Sequence, residues 1–472
     1  MNILYAVSEA APFIKTGGLA DVAGSLPNAL CKAGADTRVI LPLYGNIANE
    51  WREKMTFCLY TYIQLAWRRQ YCGLFRLEHE GVCYYFIDNE YYFKRDQIYG
   101  CADDGERFAF FSKAVIEIMP LLNWQPDVIN CNDWQTALIP IYLRLEQADF
   151  YSGIKTVFTI HNIEYQGRFG TDTATDVFGL PNELFDSGII RYDNDINLMK
   201  GAIYKSDYVT TVSPSYAMEL SDPYYSCGLH KVIEENGFKF SGIVNGLDVE
   251  RYNPATDKKI AENFDFLDID GKKACKSALC RELGFDENDN SPIIACVSRL
   301  VGHKGFDLVS EALDRLMSRN VRLIILGTGD KNYENRFRDA EYRYKGRVSA
   351  NIMYSEQRAS MVYAGADMML MPSRSEPCGL TQMISMRYGT VPIVRAVGGL
   401  KDTVRPYWSE NSNGFTFSNY SADDMLGTID AALNLYSNTD EWHGLMYRDM
   451  TEDLSWSQSA EKYLEIYNKL VK

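Results

Sequence analysis

The sequence predicts an α/β protein made of two Rossmann-like domains with parallel sheets, and three observations carry that expectation. Short, continuously apolar runs alternate with amphipathic segments from end to end, the pattern of strands buried on both faces by helices. At 472 residues the chain exceeds what a single core supports. A polar break over residues 241–290 is followed by a fresh strand–helix alternation.

Taken in order, NILYAVS is the first strand, and KTGGLADV runs from a tight turn into a helix. TRVILPLY follows as a strand, and CGLFRLEHE and GVCYYFIDN alternate like hairpins, marking a hairpin insertion at about 56–100. ERFAFFSKAVIEIM repeats its apolar residues at i, i+3, i+4, which predicts a surface helix with one buried stripe. PDVINCN, KTVFTIH and DYVTTVS complete the first set of strands. Beyond the charged, helix-like KKACKSALCRELG come PIIACVS, VRLIILG, DMMLMPS and VPIVRAV. The expected domains are residues 1–243 and 244–455, with a closing helix over 456–472 that crosses back to the first domain. Two such halves in succession leave a cleft onto which carboxyl ends of strands open.

Composition excludes several functions. A net charge of −15 disfavours nucleic acid and anionic membrane as partners, so any phosphate needs a local cluster of Lys and Arg. The eleven cysteines form no CxxC pair and the start lacks a basic, then apolar leader, which predicts a reduced, cytoplasmic protein. The five histidines show no ligand spacing, so no metal is expected, and no apolar run is long enough to span a membrane. The 32 tyrosines and 22 phenylalanines suit a core and sugar stacking equally.

The candidate residues fall at strand ends or at the helix starts that follow, where open α/β sheets bind ligands. Lys15, Gly17 and Gly18 offer a cation and backbone N–H groups at a helix start, an anion site in outline; a commonplace turn is the other reading. The segment lacks the spacing of a P-loop or of a complete GxGxxG. Arg299 and Lys304, five residues apart, can both reach a diphosphate, and would stabilise a leaving group. Taken as an isolated pair they read as solvated surface cations. Gly327 lies in the GTGD turn, and Gly379, Gly398 and Gly399 sit at further helix starts. Tyr354 is a base-stacking ring or a rim aromatic. Glu376 and Asp133 invite a two-carboxylate glycosidase comparison, and Glu376 equally suits a helix cap. His161 reads as a general base, a donor to a sugar hydroxyl, or a buried, satisfied histidine.

In this order KTGGLADV, CNDWQ, HNIEYQG, SRLVGHKGFD, LGTGD and EPCGLTQ resemble the bacterial glycogen synthases and plant starch synthases, over residues 1 to about 405. The resemblance implies a GT-B fold around a deep cleft that closes by a hinge, and extension of an α-1,4-glucan from ADP-glucose with retention, without a metal. It implies that Lys15, Gly17 and Gly18 approach the diphosphate and donor sugar, with Asp21 nearby, and that Arg299 and Lys304 neutralise departing ADP. Leu380 and Thr381 would offer backbone N–H groups to the distal phosphate, beside Gly327, Cys378 and Gly379 as further substrate positions. Tyr354 would stack on adenine, Glu376 would bind glucosyl hydroxyls, and Asp133, His161 and Asn162 would line the donor-sugar and acceptor side. Retention would follow a front-face route, with the His161 main-chain carbonyl where a nucleophile would otherwise stand. The chain departs from the pattern in reading NDW where many relatives have HDW, and LVGH between Arg299 and Lys304. A UDP-glucose-dependent transferase and a catalytically silent glucan- or nucleotide-binding protein are the competing readings.

Overall fold

A computed structural model describes residues Met1–Lys472. The chain forms two units, Met1–Gly246 with Trp456–Lys472, and Leu247–Ser455.

The first unit contains β1 (Asn2–Ala6), β2 (Asp36–Pro42), β3 (Thr56–Leu65), β4 (Arg68–His79), β5 (Val82–Asp88), β6 (Val128–Asn132) and β7 (Lys155–Ile160). It continues with β8 (Arg168–Gly170), β9 (Arg191–Tyr192), β10 (Asp195–Asn197), β11 (Tyr208–Thr211) and β12 (Phe240–Gly242). Nine of these form one sheet in the order β12-β11-β7-β6-β1-β2-β5-β4-β3, and β8-β10-β9 make a small second sheet. The central strands are parallel and wholly or almost wholly buried, as their unbroken apolar sequences require. The hairpin region lengthens this same sheet: β5 pairs parallel with β2, and β4 and β3 continue from it antiparallel.

The expected surface helix needs correction. Helix Asp104–Ile118 buries Phe108, Phe110, Phe111, Val115 and Ile116 together with Arg107 and Ser112, so no single stripe faces the core. It packs against both β3 and helix Leu138–Leu143, so more than one stripe is covered. The closing helix Trp456–Val471 packs against helix Gly18–Lys32, and its buried Tyr467 hydroxyl donates to Asn130 Oδ1 at 2.8 Å, on β6.

The second unit holds one parallel sheet of β13 (Ile293–Val297), β14 (Arg322–Leu326), β15 (Val348–Asn351), β16 (Met368–Met371), β17 (Val391–Arg395) and β18 (Phe415–Phe417), ordered β15-β14-β13-β16-β17-β18. Helix Phe306–Met317 lays Phe306, Val309, Leu313 and Leu316 on this sheet at helical spacing, beside Leu426 and Ile429 of helix Ala422–Tyr436. No helix in the chain is long and apolar enough to cross a membrane.

These strand orders decide where ligands can bind. From β1 the first sheet grows one way through β2, then resumes on the other side at β6. From β13 the second grows through β14 and β15, then resumes at β16. Each reversal opens a crevice beyond the carboxyl ends of the two strands that flank it.

Candidate active site

The first crevice lies beyond β1 and β6. Asp133 is the residue after β6, and its backbone is strained, with φ 55° and ψ −179°, a region that a side chain other than glycine rarely adopts. Its carboxylate accepts the backbone N–H of His161 at 2.8 Å and, more distantly, that of Asn162 at 3.4 Å. Burial outweighs those bonds and the nearby Glu9 adds to the effect, so the carboxyl is pushed up to about 7.

His161 follows β7, and its ring is fixed by a neighbour. Asn132 donates its amide to the Ala6 carbonyl at 2.9 Å, so Asn132 Oδ1 is the atom that meets His161 Nε2 at 2.9 Å. That oxygen also accepts the Tyr5 hydroxyl at 2.9 Å. An oxygen acceptor forces the proton onto Nε2 and leaves Nδ1 bare, ready to accept from a hydroxyl. Burial depresses the imidazole to about 3, so the ring stays neutral throughout the physiological range. Of the three sequence readings, the donor to a sugar hydroxyl does not fit this geometry, because the ring's one N–H is already engaged.

Lys15 follows β1 and is ion-paired to Asp21 at 2.8 Å. Gly17 caps helix Gly18–Lys32 in extended conformation, and no side chain caps that end. The Thr16 N–H, however, is taken by Glu9 at 2.5 Å. Fewer N–H groups are therefore free for an anion than a glycine pair at a helix start suggests.

The second crevice lies beyond β13 and β16. Lys304 Nζ is 2.7 Å from both carboxylate oxygens of Glu376, and the buried Ser373 hydroxyl donates to the same carboxylate at 3.0 Å. Arg299, two residues past β13, is exposed and makes no ion pair. The GTGD turn braces it from behind: Leu300 N–H donates to the Thr328 carbonyl at 2.9 Å, and Asp330 N–H to the Leu300 carbonyl at 2.8 Å. Gly327, at φ 152°, passes so near Ser298 that a Cβ would stand 1.9 Å from its carbonyl oxygen, so only glycine fits there.

The backbone after Glu376 is held just as closely. Gly398, at φ 44°, would place a Cβ 2.0 Å from the Glu376 carbonyl oxygen, and the Gly399 N–H donates to that oxygen at 3.1 Å. Cys378 is buried; Gly379 and Leu380 lead into helix Thr381–Arg387, whose start carries no side-chain cap. The Thr381 hydroxyl reaches back to the Val297 carbonyl at 3.4 Å, joining that start to the end of β13. Tyr354, three residues past β15, is 76% exposed, which leaves its ring open for stacking.

The structure thus gathers Asp133, His161 and Asn162 in one unit, with Lys15 and Asp21 paired beside β1. In the other it gathers Lys304 with Glu376, beside Arg299, Gly327 and Thr381. Three contributors escaped the sequence reading. Glu9 is an acid three residues past β1, Asn132 sits inside the CNDWQ motif beside the residue that drew attention, and Ser373 ends a strand run. Each had a positional signal, and none stood out by chemical type.

Comparisons with known proteins agree with one another. The starch synthase catalytic domain model matches residues 2–235, and the model of group 1 glycosyl transferases matches residues 284–443. The chain is 46% identical to a glycogen synthase of Clostridium botulinum over 100% of its own length and 99% of that protein. It is 49% identical to a glycogen synthase of Lachnospira eligens, covering 99% of this chain and 100% of that one. The solved catalytic domain of starch synthase IV from Arabidopsis thaliana, bound to ADP and acarbose, superposes with a TM-score of 0.92 at 32% identity, covering 100% of this chain and 99% of that one.

Proposed function

The chain belongs to the glycogen synthase and starch synthase family, retaining glucosyltransferases of the GT-B fold, and from that premise we propose that it transfers glucose from ADP-glucose to the non-reducing-end 4-OH of an α-1,4-glucan. The observation that carries the reading is Lys304 held against both oxygens of Glu376 in the crevice beyond β13 and β16. An ammonium has three donors, so Lys304 can keep one bond to Glu376 and turn another to a phosphate oxygen. Glu376 then accepts glucosyl hydroxyls, Arg299 adds the second cation, and the uncapped start of helix Thr381–Arg387 takes the distal phosphate. The choice of ADP is supported by the nucleotide in the starch synthase IV structure.

In the proposed reaction the bond from C1 to the diphosphate oxygen breaks and its electron pair leaves with ADP. The acceptor O4 attacks the same face of the oxocarbenium-like sugar, and its proton passes to the departing phosphate oxygen. Arg299 and Lys304 stabilise the charge that builds on that oxygen, a task for which a preorganised donor contributes about 3–4 kcal/mol. His161 contributes its main-chain carbonyl beside the developing cation and the bare Nδ1 to a sugar hydroxyl; Asp133 holds the His161 and Asn162 backbone in place.

The test is glycogen elongation by the purified protein with ADP-glucose and with UDP-glucose as donors. Transfer from ADP-glucose at least about tenfold faster at equal concentration is expected. A preference for UDP-glucose would overturn the donor assignment. Nucleotide binding without any elongation would overturn the activity.

A further inference from the structure

The first crevice contains a buried acid that the proposed reaction does not use. Glu9 is only 3% exposed. One of its oxygens accepts the Thr16 N–H at 2.5 Å and the Thr16 hydroxyl at 2.9 Å, and the Gly17 N–H and Tyr99 hydroxyl also bear on the carboxylate. Tyr99 is itself tied to the Ser8 hydroxyl at 2.6 Å. No backbone carbonyl takes the N–H of Thr16 or Gly17, so the segment entering helix Gly18–Lys32 is held at these positions by Glu9.

A buried carboxylate beneath a proposed anion site is costly unless its position matters, since it repels the ligand and must be desolvated. Its four donors offset part of that desolvation, and burial still raises the carboxyl above its ordinary value. We propose that Glu9 is a positioning residue for nucleotide-diphosphate binding: by engaging Thr16 and Gly17 it fixes the backbone from which Lys15 and the first turn of helix Gly18–Lys32 address the anion. Thr16 and Gly17 thereby act as structural donors, and the anion-facing N–H groups begin at Gly18. The inference rests on the nucleotide-sugar reading above and deepens it.

Glu9→Gln keeps the volume and one acceptor oxygen but turns an NH2 toward groups that are themselves donors. Thr16→Val removes one of the hydroxyl bonds at a site nearer the surface. Calorimetric titration with ADP and steady-state kinetics, on the wild type and both variants, give the test. For Glu9→Gln the expected result is about a tenfold weaker ADP affinity and an equal rise in donor KM, with kcat lowered less than about threefold and the glycogen KM unchanged, the signature of lost uniform binding. Thr16→Val moves the same constants about two- to threefold in the same direction and decides the matter should Glu9→Gln not fold. ADP affinity within twofold of wild type in Glu9→Gln, or unchanged in Thr16→Val where Glu9→Gln is insoluble, overturns the proposal. So does a fall in kcat with ADP affinity unmoved. A wild type that neither binds ADP nor uses ADP-glucose overturns the functional reading itself, a result distinct from the others.

Discussion

Around the ends of β6 and β7 the protein buries ionisable groups until they are neutral or close to it, whereas around the ends of β13 and β16 it keeps opposite charges together. Burial holds the His161 ring neutral and lifts the Asp133 carboxyl to about 7, while Lys304 lies against Glu376 and Arg299 projects unpaired. The difference matches two tasks that glycosyl transfer sets. Orienting a sugar calls for directional bonds between neutral groups, each worth about 1 kcal/mol net, and these lose nothing when water is excluded. Stabilising a leaving diphosphate calls for fixed charge, and one preorganised donor contributes several times as much. Mutations in the two regions should therefore differ in size and in kind.

The largest effect is expected at Lys304. In the proposed reaction Lys304→Ala removes a charge that stabilises the leaving group, and it leaves the Glu376 carboxylate uncompensated, so kcat falls at least about 10²-fold. Single-turnover rates would measure it, and near wild-type turnover would remove the leaving-group role. Arg299→Ala comes next. Its exposed guanidinium is screened by water, so kcat/KM falls about tenfold and the loss shrinks in the wild-type comparison as salt rises; a loss equal to that of Lys304→Ala would erase the distinction between paired and free cations.

Asp133→Asn sharpens the contrast from the neutral side. Because the folded carboxyl titrates near 7 and an unfolded one near 3.8, the folded protein binds more protons between those values. The stability that this group contributes is present below about pH 4 and is lost as pH rises toward 7. Asparagine keeps the acceptor for His161 and Asn162 and removes the charge, so its melting temperature should exceed that of wild type at pH 8, with the gap closing steadily as pH falls to about 4. An acid limb of activity near pH 7 would likewise be absent in Asp133→Asn, since His161 does not titrate there. Melting curves that stay parallel at both pH values would show that Asp133 is already charged in the fold.

The smallest effect belongs to Tyr467→Phe on the closing helix. Its hydroxyl donates to Asn130, whose amide reaches Thr159 at 3.1 Å under the strand end that bears His161. Losing that bond costs about 1 kcal/mol of stability and, through a slightly misplaced imidazole, about two- to fivefold in kcat, read from the same melting and steady-state assays. Loss of stability with kcat intact would confine Tyr467 to packing.

Much of the fold was legible because a strand buried on both faces must be apolar throughout, as NILYAVS, PDVINCN and VRLIILG are. Strands of two or three residues, such as β9, β12 and β18, have no such signature; they are defined by partners. The helix at Asp104–Ile118 was misread since periodicity reports one buried face and is silent on a second neighbour. Among the candidate residues, position did what chemical type did not: Asp133, His161, Arg299 and Glu376 were singled out by following strand ends. Glu9, Asn132 and Ser373 were passed over because an acid, an amide and a hydroxyl are ordinary until their bonds are known.

What the sequence determined by itself is the layered α/β architecture, since alternation of apolar strands and amphipathic helices is a local property of the chain. It also set the strand ends at which charged and glycine residues collect. Tertiary structure alone decided which strands flank each crevice, which tautomer His161 adopts, and that Glu9 underlies the KTGG turn. Those outcomes depend on pairing and desolvation between residues as far apart as β1 and the closing helix, and electrostatic energy in a buried site depends on what surrounds a group in space and not on its neighbours along the chain.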